Sequence, residues 1–137
     1  MPVSKEVVKE QIRKVGKFNK FFVGKEIRAL PRVLDEGEEI QFLTSGFDGH
    51  RHTVLVVATN RCLRVLDSRL VYGSDDRTFP YGKINSIRGK RGLFWGELRV
   101  STAGVSGDDM VITFVRKTDI ARMISVVSKL CAEAKAV

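Results

Sequence analysis

Residues 52–67 read HTVLVVATNRCLRVLD, and this stretch carries the strongest β-hairpin signal in the chain. Five apolar residues in succession, Val54 to Ala58, are typical of a strand that is buried on both faces. Thr59 and Asn60 supply a two-residue turn, after which residues 61–67 form the second strand of a tight hairpin. We therefore expect a sheet in which residues 52–58 form a central strand.

Short apolar or alternating segments continue on both sides of this hairpin, each ended by glycine or polar turn residues. After the last segment, Thr118 is the expected N-cap of a helix with Asp119 in its first turn, and apolar residues recur at helical spacing as far as Ala134. We expect this helix to dock on the chain's own sheet. The sequence thus predicts seven antiparallel strands and one final helix, with strands at 39–45, 52–58, 61–67, 70–80, 83–89, 94–102 and 109–115.

An amphipathic helix is expected at the N-terminus, where Ser4 is a candidate N-cap for a helix that runs toward Phe22. One face is apolar and the opposite face is basic. The apolar stripe consists of Val7, Val8, Ile12, Val15, Phe18 and Phe22, and the basic face of Lys5, Lys9, Arg13, Lys17 and Lys20.

A second, shorter helix should follow, kinked at Pro31 and ended by Gly37. Its apolar side consists of Ile27, Leu30 and Leu34. We expect residues 1–36 to form a helical extension and residues 37–137 to form the main domain.

The order of seven short antiparallel strands and one amphipathic helix resembles that of a pleckstrin-homology (PH)-like barrel, in which the helix closes an open end. Segments within residues 25–131 are also similar to bacterial PH domains of the YokE-like family. The resemblance implies an α+β fold: a PH-like seven-stranded antiparallel barrel or sandwich capped by a C-terminal helix, here with an N-terminal helical extension. It also implies a binding or scaffolding module, often oligomeric, without a uniform activity. The similar segments are EIRALPRVL (26–34), EEI (38–40), ATNR (58–61), FPYGKI (79–84) and GLFWGEL (92–98).

The positive charge of the chain is concentrated in its N-terminal quarter. The formal net charge is +8, and residues 1–33 carry nine basic and three acidic side chains. Such a charge favours nucleic acid, an anionic membrane surface or an acidic protein, without choosing among them. No secretory signal or membrane-spanning apolar run is evident, and the two cysteines, Cys62 and Cys131, sit among apolar residues as reduced thiols would. These features favour a cytoplasmic location.

We find no arrangement of residues that predicts catalysis. His50 and His52 are the only histidines, and with Asp48 they could form a metal corner, but a solvated turn is the simpler interpretation. Adjacent aspartates such as Asp75 and Asp76 fall within turn signals. The segment at 89–92, GKRG, lacks the strand-to-helix context of a phosphate-binding loop. We therefore expect no enzymatic activity, no metal and no cofactor.

The strand predicted at 94–102 offers the best candidate contact site. By alternation, Phe94, Leu98 and Val100 should face the core, whereas Trp95 should face solvent together with Glu97, Arg99 and Ser101. An exposed tryptophan beside basic residues is typical of protein interfaces and of nucleotide stacking. Alternatively, Trp95 packs beneath the first helix or a neighbouring loop. The predicted partner-binding residues are Arg88, Lys90, Arg91, Trp95 and Arg99.

The apolar face of the first helix could pack on the chain's own barrel, associate with another subunit or lie in an anionic membrane interface. Residues predicted for such an oligomerisation or membrane face are Val8, Ile12, Val15, Phe18 and Phe22. The favoured function is a non-enzymatic module for protein–protein interaction or homo-oligomerisation. Peripheral binding to anionic membrane lipids is the first alternative, and nucleic-acid binding is the second, less favoured because the region after residue 33 is nearly neutral.

Overall fold

The computed structural model describes residues 4–16, 24–48, 52–67, 77–102 and 110–136. Its elements are α1 (Lys5–Val15), α2 (Gly24–Val33), β1 (Ile40–Phe47), β2 (Thr53–Thr59), β3 (Cys62–Asp67), β4 (Arg77–Pro80), a 3-10 turn (Tyr81–Lys83), β5 (Ile84–Arg91), β6 (Trp95–Thr102), β7 (Met110–Arg116) and α3 (Lys117–Lys135). The strands form one antiparallel sheet in the order β4-β3-β2-β1-β7-β6-β5. The predicted seven strands and C-terminal helix are confirmed. Of the segment predicted at 70–80, only β4 lies within the described residues.

Helix α1 begins where the sequence predicted and ends earlier. Ser4 Oγ accepts a hydrogen bond from the backbone N–H of Val7 at 3.2 Å, which caps the N-terminus. The helix ends at Val15 because Gly16 adopts a φ of +88°, a left-handed conformation that glycine reaches without strain. The predicted continuation toward Phe22 is therefore wrong at Gly16, and residues 17–23 lie outside the described part of the chain.

Strand β2 is buried on both faces because two separate cores form on either side of it. Within Val54–Ala58, the even-numbered residues belong to an inner core that α3 closes. Leu55 and Val57 belong to an outer core, where they pack with Val8 of α1 and Leu30 of α2. The predicted central strand is thus confirmed. The N-terminal helices share a core with the sheet, and the division between residues 36 and 37 stays a prediction.

Helix α3 packs against strands β5 and β6 at two positions without side chains. A Cβ on Gly89 would lie 2.5 Å from Ile120 Cγ2, and one on Gly96 would lie 2.7 Å from Ile120 Cδ1. These glycines therefore allow the helix to approach the sheet backbone closely. Ile120, Met123 and Val127 of α3 have no exposed surface and fill the inner core.

The predicted N-cap of α3 is wrong, although Asp119 does lie in the first turn. The helix begins at Lys117, with Arg116 in the N-cap position and no side-chain cap. No loop separates β7, which ends at Arg116, from α3, which begins at Lys117. The Lys117 N–H donates a hydrogen bond to the Phe94 carbonyl at 3.1 Å, which fixes the start of the helix beside β6. Thr118 therefore lies inside the helix, and Asp119 Oδ2 accepts a hydrogen bond from the Thr44 hydroxyl at 2.7 Å.

A buried ion pair joins the segment before β1 to the β2–β3 hairpin. Arg64 donates from Nε and Nη2 to the two carboxylate oxygens of Glu38, at 2.9 and 2.8 Å. The Thr59 hydroxyl and the Asp35 N–H donate to the same carboxylate at 2.6 and 3.0 Å. Glu38 has a side chain with no exposed surface, so these hydrogen bonds replace the water it has lost.

Both cysteines are free thiols, as the sequence predicted. Cys62 is buried, and its Sγ lies 3.7 Å from Glu38 Oε2. Cys131 is half-buried and packs against the inner core. Burial raises the pKa of both thiols, which keeps them protonated near neutral pH.

Candidate binding surface

Three consecutive large apolar side chains are exposed at the turn between β5 and β6. The exposed fractions are 80% for Leu93, 69% for Phe94 and 48% for Trp95. The turn is held by a hydrogen bond from the Gly92 N–H to the Trp95 carbonyl at 2.8 Å, and the Phe94 carbonyl accepts from the Lys117 N–H. The apolar side chains therefore stand at the end of a hairpin whose backbone is fixed to the start of α3.

Phe94 was expected in the core, and this prediction is wrong. Strand β6 begins at Trp95, so Phe94 lies in the turn before the alternation starts. Within the strand the alternation holds for Leu98 and Val100, each 1% exposed. Trp95 is exposed as predicted. Ser101 was expected to face solvent but is buried, and its hydroxyl lies 2.6 Å from that of Ser86.

Basic residues surround this apolar turn on both faces of the hairpin. Lys90 is directly opposite Glu97, and Arg91 is opposite Gly96. Since successive side chains in a strand point to opposite faces, Lys90 and Arg91 lie on opposite sides of the hairpin. On the neighbouring strand, Arg116 is directly opposite Trp95, and Lys117 follows it. All four basic side chains are exposed.

We call this region the tip surface: it consists of Lys90, Arg91, Leu93, Phe94, Trp95, Arg116 and Lys117. The other two predicted contact residues lie farther along the same hairpin, where Arg88 is directly opposite Arg99. Arg99 Nη2 binds Glu97 Oε2 at 2.9 Å, and both side chains are about one-third exposed. The structure therefore places all five predicted partner-binding residues on the β5–β6 hairpin, three of them at the tip, with Arg91 on the opposite face from Arg88, Lys90 and Arg99.

An irregularity in β7 exposes a further aromatic residue near the tip surface. Gly96 is opposite Val115 and Leu98 is opposite Ile112, so two residues of β7 face the single residue between them. This is a β-bulge, and within it Phe114 has a φ of +54°. The Phe114 ring is 60% exposed and contacts Phe47 edge-on, with ring centroids 5.7 Å apart.

The N-terminal helix uses its apolar face within the chain. Val8 is 2% exposed in the outer core, and Ile12 and Val15 pack against the same core. Gln11 Oε1 accepts from the Ile40 N–H at 2.9 Å, which ties α1 to the start of β1. Of the three roles predicted for this face, packing on the chain's own sheet therefore applies to Val8, Ile12 and Val15. Phe18 and Phe22 lie outside the described residues.

The first hairpin shows turn chemistry at the position considered for a metal. Asp48 Oδ1 accepts a hydrogen bond from the His52 N–H at 3.1 Å, while His50 lies outside the described residues. Across the described ranges, no group of three or more His, Cys, Asp or Glu side chains could hold a metal ion. Among the helices in those ranges, none combines the length and apolar character needed to cross a membrane.

A seven-stranded antiparallel sheet closed by a C-terminal helix, with a candidate contact surface on its β5–β6 hairpin, defines a PH-like domain. The bacterial PH domain family matches residues 34–129, and the chain belongs to that family. The narrower YokE-like membership stays a prediction. No curated protein sequence matches the chain.

Two solved structures share the fold. A pleckstrin homology domain from Shewanella amazonensis SB2B is 23% identical, with a TM-score of 0.55, over 80% of this chain and 98% of that one. A DUF1696 family protein with a pleckstrin-homology domain from Shewanella loihica PV-4 is 16% identical, with a TM-score of 0.54, over 78% of this chain and 91% of that one. At these identities the similarity establishes the fold alone.

Four residues at or near the tip surface are not predicted from the sequence: Leu93, Arg116, Lys117 and Phe114. Leu93 could have been found, because the glycines at 92 and 96 bracket three large apolar residues that a short turn cannot bury. Arg116 and Lys117 could not, because they reach the tip only through the pairing of β6 with β7. The bulge that exposes Phe114 leaves no mark in the sequence pattern.

Proposed function

We propose that this chain is a non-enzymatic binding module and that the tip surface is its contact site. The observation that carries the proposal is the run of three exposed apolar side chains at Leu93, Phe94 and Trp95. A contiguous apolar patch costs free energy in water, so patches of this kind are typical of interaction sites. PH-like domains are in general binding modules and are generally non-catalytic, which supports the same function.

The tip surface is a better candidate than the N-terminal helix. Homo-oligomerisation through α1 receives less support, because Val8, Ile12 and Val15 already pack in the outer core of the chain itself. The tip surface has no such cover in the described part of the chain. Its tryptophan and arginines are residue types that contribute strongly to protein interfaces, so a protein partner or a second copy of this chain would find suitable anchors there.

Photo-cross-linking in living cells tests the site without assuming a partner. A photoreactive phenylalanine analogue is placed at Phe94, and in a matched control at Ser125, which is exposed on α3. We expect position 94 to give far more adducts than position 125, whether with protein, lipid or nucleic acid. Equal yields at the two positions, or no adducts at either, would show that the tip surface is not the contact site.

A further inference from the structure

We infer that the tip surface binds an anionic lipid bilayer, with Leu93, Phe94 and Trp95 inserted at the boundary between headgroups and acyl chains. This inference rests on the proposed function, and it names the partner. The cytoplasmic location expected from the sequence would place the domain beside a membrane leaflet that carries anionic lipids.

The shape of the tip surface suits a bilayer. Leu93 and Phe94 occupy the end of a two-stranded hairpin, and the most exposed side chain is the one nearest the middle of the turn. Exposure falls toward Trp95, which lies nearest the body of the domain. An insertion with this geometry would leave Trp95 at the membrane–water interface, the depth that tryptophan prefers.

The apolar area is small for a protein partner. Large side chains have about 150–250 Å² each to bury, and at exposed fractions of 80%, 69% and 48% the three together supply roughly 500 Å² at most. A stable protein interface buries about 800 Å² on each partner, and a shape-complementary surface must extend around the hairpin to reach it. A bilayer accepts a narrow apolar insertion without such complementarity.

The charges around the tip are complementary to acidic headgroups. Lys90 and Arg91 lie on opposite faces of the hairpin, Arg116 lies across from Trp95 and Lys117 across from Phe94, so basic side chains surround the apolar residues. Glu97 is the sole acidic residue in the segment 88–97, and it binds Arg99. Cations at this position would contact headgroup phosphates when the apolar side chains are inserted.

The test measures binding of the full-length chain to phosphatidylcholine vesicles with and without phosphatidylserine, by co-sedimentation and by tryptophan fluorescence. Trp95 is the only tryptophan, so its emission reports on the tip itself. We expect a blue shift, quenching by lipids brominated on the acyl chain, and binding that needs phosphatidylserine and weakens with salt.

Two paired substitutions separate insertion from general electrostatics. Leu93→Ser with Phe94→Ser retains the Trp95 reporter and should weaken binding at least about tenfold, because losing two buried methylene groups already has that effect. Lys90→Glu with Arg91→Glu should abolish binding, because acidic side chains then face the anionic headgroups. The matched control, Lys9→Glu with Lys129→Glu, makes the same charge change at exposed positions of α1 and α3 and should bind as the wild type does. Circular dichroism confirms that each variant is folded.

Three results would overturn the inference: no binding by the wild type, equal binding by the Leu93/Phe94 variant, or equal losses in the tip and control charge variants. Adducts at position 94 that contain protein, a second copy of this chain or nucleic acid instead of lipid would also overturn it while leaving the proposed function intact. A yield of adducts at position 94 no higher than at position 125 would instead overturn the proposed function.

Discussion

The buried ion pair between Glu38 and Arg64 predicts a large and pH-dependent contribution to stability. Arg64→Met removes the guanidinium but keeps an unbranched side chain in the same space. Glu38 is then left with the Thr59 hydroxyl, the Asp35 N–H and the weakly donating Cys62 thiol, and Arg64 no longer offsets its burial. Breaking a buried pair in this way costs about 3–5 kcal/mol, so we expect the free energy of unfolding at pH 7 to fall by that amount.

The dependence on pH follows from the ionisation of Glu38. Burial alone would raise its pKa, but hydrogen bonds from Arg64, Thr59 and the Asp35 N–H outweigh it and hold the pKa at about 2, below the ordinary value of 4.5. A carboxyl with a lowered pKa stabilises the fold above its unfolded pKa. Its contribution, about 3 kcal/mol, should therefore disappear as the pH falls from 4.5 toward 2.

In Arg64→Met this dependence should flatten or reverse, because burial then dominates and raises the pKa of Glu38. Urea unfolding followed by circular dichroism at several pH values measures both effects. Arg13→Met is the matched control, since Arg13 binds Glu10 at 2.6 Å on the exposed face of α1 and should have no measurable effect. A loss below about 1 kcal/mol in Arg64→Met, or a pH curve parallel to that of the wild type, would refute the reasoning.

Two further predictions concern the close packing of α3 on the sheet and the burial of the two cysteines. Gly89→Ala should destabilise the fold by about 1–3 kcal/mol, because the new methyl group would collide with Ile120. Gly82→Ala is the control, because a methyl group there meets open space and should not destabilise the fold. Equal melting temperatures for the two variants in thermal unfolding would contradict the close packing of α3 on β5. Native-state thiol labelling should be slow at both cysteines, and slower at buried Cys62 than at half-buried Cys131; immediate reaction of both would contradict their burial.

The sequence predicts how many strands follow one another along the chain, because each strand has a local apolar pattern and is ended by glycine or polar residues. It also predicts that β2 is an interior strand of the sheet, since five successive apolar residues, Val54–Ala58, are buried only in a strand that is covered on both faces. It does not show which surface covers α1, because the same apolar stripe suits a sheet, a partner or a membrane. Nor does it bring Arg116 beside Trp95, because that pairing depends on strand register between distant segments.

Strand β1 lies between β2 and β7, and this position has a consequence for synthesis on the ribosome. Its pairing with β2 is local, but Phe47 contacts Thr113 across 66 residues of chain. At ordinary translation rates the second edge of β1 therefore stays open in the nascent chain for on the order of several seconds. An open edge is a template for pairing with other chains, so a message truncated before β7 should yield an aggregating product.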